Sequence, residues 1–152
     1  MQQDIKKIKL LRDETGAGVL EVKQALENSN GDVNKAKEEL MAKVSSKAAK
    51  KSGRVAGDGS IFSYIHNNGK VGSLLHLACE TDFVAKTDDF KFILKEIAMQ
   101  VCTEDYKNVE ELLKAEYMRD PQKTINDLIN EKVAKLGEKI EIKKFVKFSV
   151  IE

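Results

Sequence analysis

The hydrophobic period of this chain changes once. Up to about residue 44 the apolar residues recur at three- and four-residue spacing, as helices require, and from Ser60 they recur at every second position, as strands require. The second pattern is the tighter constraint. Ile61-Phe62-Ser63-Tyr64-Ile65-His66 and the run from Val71 to Cys79 flank Asn67-Asn68-Gly69-Lys70. Asn-Gly between two alternating runs predicts a β-hairpin, because both residues tolerate the positive φ of a type I′ turn. With Asn68-Gly69 as the loop, Phe62, Tyr64, His66, Val71, Ser73, Leu75, Leu77 and Cys79 share one face, and Ile61, Ile65, Leu74 and Ala78 share the other. Both faces are apolar, whereas an antiparallel sheet open to water has one polar face. The pattern therefore expects a cover over the second face, another subunit being one candidate.

Ahead of the hairpin, residues 4–44 read as three short helices. Ile5, Ile8 and Leu11 or Arg12 share a helical face, Thr15-Gly16-Ala17-Gly18 breaks the pattern, and Val19, Val22 and Leu26 resume it. Asn30-Gly31-Asp32 makes a second break, with Asp32 as N-cap of a helix carrying Val33, Ala36 and Leu40. Between Met41 and Gly59 the composition shifts to Ser, Ala, Gly and Lys, with Lys43, Lys47, Lys50, Lys51 and Arg54 and no acid before Asp58. This stretch reads as a partly helical connector. The expected organisation is a three-helix module over 1–44, a basic linker over 45–59, and an α+β domain over 60–152.

Beyond the hairpin, Thr87 N-caps a helix with Phe90, Ile93, Leu94, Ile97, Ala98 and Val101 on one stripe, and Asp88 and Asp89 suit its positive end. A shorter helix is expected from Asn108 to about Met118, ahead of Pro121. Another starts at Thr124, with Asp127 three residues on, and stops before Gly137. Ile140, Ile142, Val146, Phe148 and Val150 then alternate with charged residues, which predicts a strand with one buried face. The fold class is thus α+β: three N-terminal helices, then a small three-stranded antiparallel sheet packed with helices. Val146 and Phe148 belong either to the core or to a subunit interface.

Composition narrows the function classes. Of 152 residues 41% are hydrophobic, enough at this regular spacing to exclude disorder for most of the chain. No run of about 18 apolar residues crosses a membrane. Met1-Gln2-Gln3-Asp4 opens a charged amphipathic segment rather than a signal sequence, so a cytoplasmic location is expected. Cys79 and Cys102 are expected as free buried thiols. No metal is expected, since His76 and Cys79 stand three apart on a strand and point to opposite faces. Nor does any phosphate-binding glycine loop, zinc-binding helix or nucleophile motif appear, so neither an enzyme nor a cofactor site is expected.

Two stretches are over-specified for packing alone. One runs from Leu11 to Leu26 around Thr15-Gly16-Ala17-Gly18; the other is Cys79-Glu80-Thr81-Asp82-Phe83-Val84-Ala85-Lys86. Phe83 lies between a strand end and a helix N-cap, where it either folds back onto the core or stands out as an interface anchor.

These two stretches, with Lys23-Gln24-Ala25-Leu26 in the first, resemble the two signatures of the translation elongation factor Ts family, in the same order and spacing. The similarity extends to the basic linker, the hairpin and Val133-Ala134-Lys135-Leu136-Gly137-Glu138-Lys139-Ile140, leaving out about Thr103 to Lys123. The resemblance implies a guanine nucleotide exchange factor for elongation factor Tu. In that family the N-terminal module resembles a ubiquitin-associated fold and docks on the GTPase. Carried onto this chain, Arg12, Gly16, Gly18, Val19, Leu20 and Lys23 fall at that contact. Thr81, Asp82, Phe83 and Val84 fall at the intruding element, with Phe83 wedged between GTPase helices near the magnesium site. Long members carry two related sheet subdomains and a helical hairpin; this chain has room for one subdomain. Short members are expected to pair as homodimers in a two-plus-two complex. His66, at the hairpin tip, is then either a second-subunit contact to the GTPase or an ordinary turn-flanking histidine. A rival class is an RNA- or ribosome-binding protein using the linker and the six lysines between Lys132 and Lys147. No aromatic platform interleaves those lysines, so nucleic acid is not expected as the main partner. An adaptor that binds ubiquitin-like partners through residues 1–44 is a third class.

Overall fold

The computed structural model describes residues 2–151, and its backbone contacts separate into two compact units. The first comprises the chain up to Gly53 together with 130–137, and the second 54–129 with 138–151.

In the first unit α1 (Gln2–Thr15), α2 (Val19–Asn28) and α3 (Val33–Lys51) surround a core of Leu11, Ala17, Val22, Ala25, Ala36 and Leu40, flanked by Ile8, Leu26 and Val33. Each break between helices has a specific chemistry. Buried Thr15 donates its hydroxyl to the Leu11 carbonyl (2.6 Å) and accepts the Ala17 N–H (3.2 Å), closing α1. Gly16 follows at φ +72°, where a Cβ would stand 2.9 Å from the Glu131 carbonyl oxygen, so only glycine fits. The Glu21 carboxylate accepts the Gly18 N–H (3.0 Å) at the start of α2. Asp32 caps α3 by accepting from Asn34 N (3.0 Å) and Lys35 N (3.2 Å), as the sequence predicts. α3 then continues through the first part of the basic stretch to Lys51.

The rest of the chain forms β1 (Asp58–Ile65), β2 (Val71–Cys79), α4 (Asp82–Ala85), α5 (Asp88–Val101), α6 (Val109–Lys114), β3 (Glu116–Tyr117), β4 (Asp120–Thr124), α7 (Ile125–Leu136) and β5 (Ile140–Ser149). β1, β2 and β5 make an antiparallel sheet with β2 central. α5 packs on one face, where Ser73 donates to the Ala98 carbonyl (2.7 Å) and Leu75, Leu77, Phe90, Ile93 and Ile97 are buried. The predicted stripe of α5 is the stripe that is buried.

Three expectations are corrected. The β1–β2 register is the expected one, Phe62 facing Leu75 and Tyr64 facing Ser73, but the turn is not type I′. Gly69 alone takes a positive φ (+70°) and donates to the His66 carbonyl (2.7 Å), while His66 N bonds Val71 O (2.9 Å) around a four-residue loop. Next, the helix from Asn108 ends at Lys114 rather than near Met118. The residues after it pair as the β3–β4 hairpin, with Pro121 inside β4. That hairpin is held by α5: buried Glu96 accepts from the Tyr117 hydroxyl and Arg119 Nε, both 2.5 Å. Gln100 donates to Glu116 O (3.1 Å) and accepts from Met118 N (2.9 Å). Finally, β5 does not have a single buried face. A bulge at Lys143 places both Ile142 and Lys144 against consecutive residues of β2, Leu77 and His76. Ile140, Ile142 and Phe145 therefore face α5's side, whereas Val146 (opposite Leu74) and Phe148 (opposite Gly72) face the other.

Candidate functional site

The second signature stretch forms a short turn at the exit of the sheet. β2 ends at Cys79, paired with Ile140. Thr81, in extended conformation, is the N-cap of α4: its hydroxyl oxygen accepts the Val84 N–H (3.4 Å) and donates to Glu138 Oε2 (2.7 Å). The other oxygen of Glu138 accepts the N–H groups of Glu80 (3.2 Å) and Thr81 (3.0 Å). In return Glu80 Oε1 accepts Lys139 N (2.7 Å) and the Arg54 guanidinium (3.4 Å). At the far end Thr87 donates to Val84 O (2.7 Å) and caps α5 through Phe90 N (3.2 Å).

A turn pinned at both ends divides its side chains between inside and outside. Val84 and Ala85 are buried, and Phe83 is 80% exposed. Asp82, also exposed, pairs with Lys86 at 2.9 Å; that hydrogen bond and the lysine charge hold its carboxyl below the usual range and raise the lysine. Of the two readings of Phe83, the geometry has it standing out from the surface. Cys79, beneath, gives its thiol to the Thr81 carbonyl (3.1 Å). Burial, with the nearby charges of Glu138 and Asp58, pushes it up to about 11, so it is not a nucleophile at neutral pH.

The first signature stretch lies in the other unit. Leu20, on the first turn of α2, is 81% exposed; Val19, Lys23 and, on α1, Arg12 are exposed too, and Gly16 and Gly18 lie in the loop between the two helices. Leu10 is also exposed, a residue that the helical stripe alone did not single out. His66 is exposed at the hairpin tip, its Nδ1 3.3 Å from the Tyr64 hydroxyl. Both cysteines are free thiols, Cys79 buried and Cys102 half-buried. Among the described residues no three His, Cys, Asp or Glu side chains are grouped to hold a metal ion, and no helix is long and apolar enough to cross a membrane.

Glu138, like Arg54 and Lys139, lies outside both signature stretches, and the sequence separates it from Thr81 by 57 positions. Its place after the Gly137 helix stop, in the segment up to Ile140 that resembles the family, is the signal that the sequence offers.

Phe83 and Leu20 are thus large apolar side chains exposed at the starts of α4 and α2, on backbone held by hydrogen bonds. Comparisons with known proteins give the family. The family model described as Elongation factor TS matches residues 80–152. The elongation factor Ts of Thermoanaerobacter sp. strain X514 is 40% identical across 93% of this chain and 91% of its own length. That of Coprothermobacter proteolyticus is 40% identical across 95% and 96%, and that of Petrotoga mobilis 38% across the whole of both. The chain belongs to the elongation factor Ts family. The alignments span 186 to 197 positions, more than the 152 residues here, so these relatives carry residues with no counterpart in this chain.

Proposed function

We propose that the protein is a guanine nucleotide exchange factor for elongation factor Tu, working in translation elongation without covalent chemistry. Family membership supports the activity and the partner, and one observation carries the mechanism: Phe83 stands almost fully exposed on a turn whose two ends are fixed. An exposed phenylalanine leaves about 1.5–3 kcal/mol of burial unrealised until a partner surface opens to receive it. If its packing is available only when helices of the GTPase separate near the magnesium site, the factor binds the nucleotide-free form more tightly. By linkage it then weakens nucleotide and magnesium binding by the same factor. GDP and GTP both leave faster, and returning nucleotide expels the factor by the same reciprocity.

In this reading Asp82 and Phe83 are the intruding pair, Thr81 caps the turn that carries them, and Val84 roots the turn in the core. Arg12, Val19, Leu20 and Lys23 form the docking contact of the N-terminal module, with Gly16 and Gly18 shaping its loop. His66 is a candidate contact from a second subunit. A homodimer, giving a two-plus-two complex, is supported by the uncovered sheet face, where Ile61, Ile65, Leu74, Val146 and Phe148 are exposed together.

The RNA-binding alternative receives less support. Of the linker cations Lys43 pairs with Glu39, Lys47 with Glu21 and Arg54 with Glu80, while Lys139, Lys143 and Lys147 of the C-terminal run pair with Glu141, Glu141 and Asp105.

The test is stopped-flow release of a fluorescent GDP analogue from elongation factor Tu at fixed magnesium. The wild-type protein is expected to accelerate release to a saturating rate. Phe83→Ala is expected to lower that rate by about tenfold or more, with an unchanged unfolding midpoint because no core volume is lost. Unchanged release with this variant would remove the wedge mechanism, and no acceleration by the wild-type chain would remove the exchange function.

A further inference from the structure

We propose that Glu138 is the positioning residue of the exchange element, fixing the direction in which Phe83 leaves the surface. The proposal rests on the exchange-factor reading above and extends it to a residue outside both signature stretches.

α4 is the shortest helix of the described residues. Four residues make one turn, and a single turn has no helix propagation to hold it together. Its geometry comes from its cap and its neighbours. Burial of Val84 and Ala85 holds the inner side, whereas Phe83 on the outer side is 80% exposed and has little packing of its own. Its direction is inherited from the backbone at Glu80 and Thr81.

That backbone is held by one carboxylate. Glu138 takes three donors: the N–H groups of Glu80 and Thr81 on Oε1, and the Thr81 hydroxyl on Oε2. Hydrogen bonds to an ionised acceptor are roughly twice as strong as neutral ones. The third bond does more than add strength. A threonine hydroxyl has one hydrogen; with it committed to Glu138 Oε2, the oxygen's lone pairs are left for the Val84 N–H, which is the cap of α4. Glu138 therefore fixes both the entry of the chain and the polarity of the cap. It is itself held, because Lys139 next to it donates its N–H to Glu80 and Ile140 is paired with Cys79 in the sheet. The two segments thus exchange carboxylates, Glu80 to one and Glu138 to the other. A brace crossed in this way resists rotation of the turn better than either bond alone.

A double-mutant cycle on the full-length chain tests this, using GDP release from elongation factor Tu. Glu138→Ala is expected to lower the saturating release rate by about tenfold while leaving the concentration for half-saturation within about twofold, since docking by the N-terminal module is untouched. In the Phe83→Ala background the same change is expected to cost less than about twofold, because the side chain being aimed is already gone. Equal losses in both backgrounds, or no loss in the wild-type background, would overturn the proposal. If Phe83→Ala alone leaves release unchanged, the wedge reading itself has failed, an outcome separable from the failure of Glu138. Should Glu138→Ala not fold, Glu138→Gln serves in the same cycle. Its amide oxygen still accepts both N–H groups, but its NH₂ cannot accept the Thr81 hydroxyl. An intermediate rate with faster hydrogen exchange at Val84 is expected, and a wild-type rate with unchanged exchange counts against the proposal.

Discussion

The two faces of the three-stranded sheet differ in what covers them. One is sealed by α5: Leu75 and Leu77 are fully buried, and Ser73 reaches the helix backbone through its hydroxyl. The other carries side chains as apolar, Ile61, Ile65, Leu74, Val146 and Phe148, with Phe148 73% and Ile65 64% exposed. Across it run two ladders, Ser63–Leu74–Val146 and Ile65–Gly72–Phe148. The missing side chain of Gly72 makes room for Ile65, and next to it lies a cleft of about 280 Å³ bordered by Ile65, Leu74 and Phe148. Equal hydropathy with unequal cover teaches that apolar residues do not by themselves mark the core. What assigns them is the phase of each strand, and in β5 that phase is switched by a single extra residue at Lys143.

The largest expected effect lies on the sealed face. Leu75→Ala removes a fully buried side chain between β2 and α5 and is expected to cost about 2–5 kcal/mol, read from urea unfolding at fixed protein concentration. A loss no greater than that of an exposed residue would mean that α5 does not seal this face.

How much of this was legible in the sequence follows from where each signal resides. The hairpin register was readable because the Asn-Gly loop and both alternating runs are contiguous. The N-caps at Asp32, Thr87 and Thr124 were readable for the same reason, the last as a reciprocal pair in which Asp127 accepts Thr124 N and Thr124 accepts Asp127 N. The local sequence around Phe83 allows both an inward and an outward side chain, and the carboxylate that binds the Glu80 and Thr81 backbone beside it comes from Glu138, far along the chain. The β3–β4 hairpin was missed because its determinants, Glu96 and Gln100, sit on α5, whose own periodicity reads as complete without them. The turn type was missed because Asn-Gly permits a left-handed pair without requiring it, and only Gly69 adopts that conformation. The bulge left no trace because Lys143 and Lys144 are both polar and exposed, so either strand phase satisfies them.

That ambiguity gives a sharper test of the two-face comparison. Deleting Lys143 removes the extra residue but keeps Ile142 opposite Leu77 and brings Lys144 opposite His76 in a regular ladder, so Phe145, Val146 and Phe148 retain their faces. The expected change in stability is about 1 kcal/mol or less. In an unbulged strand the same deletion would turn everything after residue 143 to the opposite face, exposing Phe145 and driving Phe148 inward. A loss of several kcal/mol, or a chain that no longer folds, would therefore refute the bulge and with it the division of β5 between the two faces.

The smallest effect on the folded chain, and the most informative about assembly, is expected from Phe148→Lys. The side chain is exposed, so the substitution removes little burial within one subunit and should change its unfolding free energy by no more than about 0.5 kcal/mol. If a second copy covers the open face, however, the new ammonium lies in the middle of an apolar contact beside Ile65 and the Gly72 cleft, where burying an unpaired charge is costly. The wild-type chain is then expected at twice its 17.0 kDa by light scattering, and the variant at 17.0 kDa over the same concentration range. A wild-type protein that stays at 17.0 kDa at all concentrations would exclude the homodimer, leaving the face open for a different occupant. Dimers that persist in the variant would move the subunit contact away from the sheet. Either result would separate the apolarity of this face from the assembly proposed for it, whereas loss of pairing with an unchanged fold would join the two.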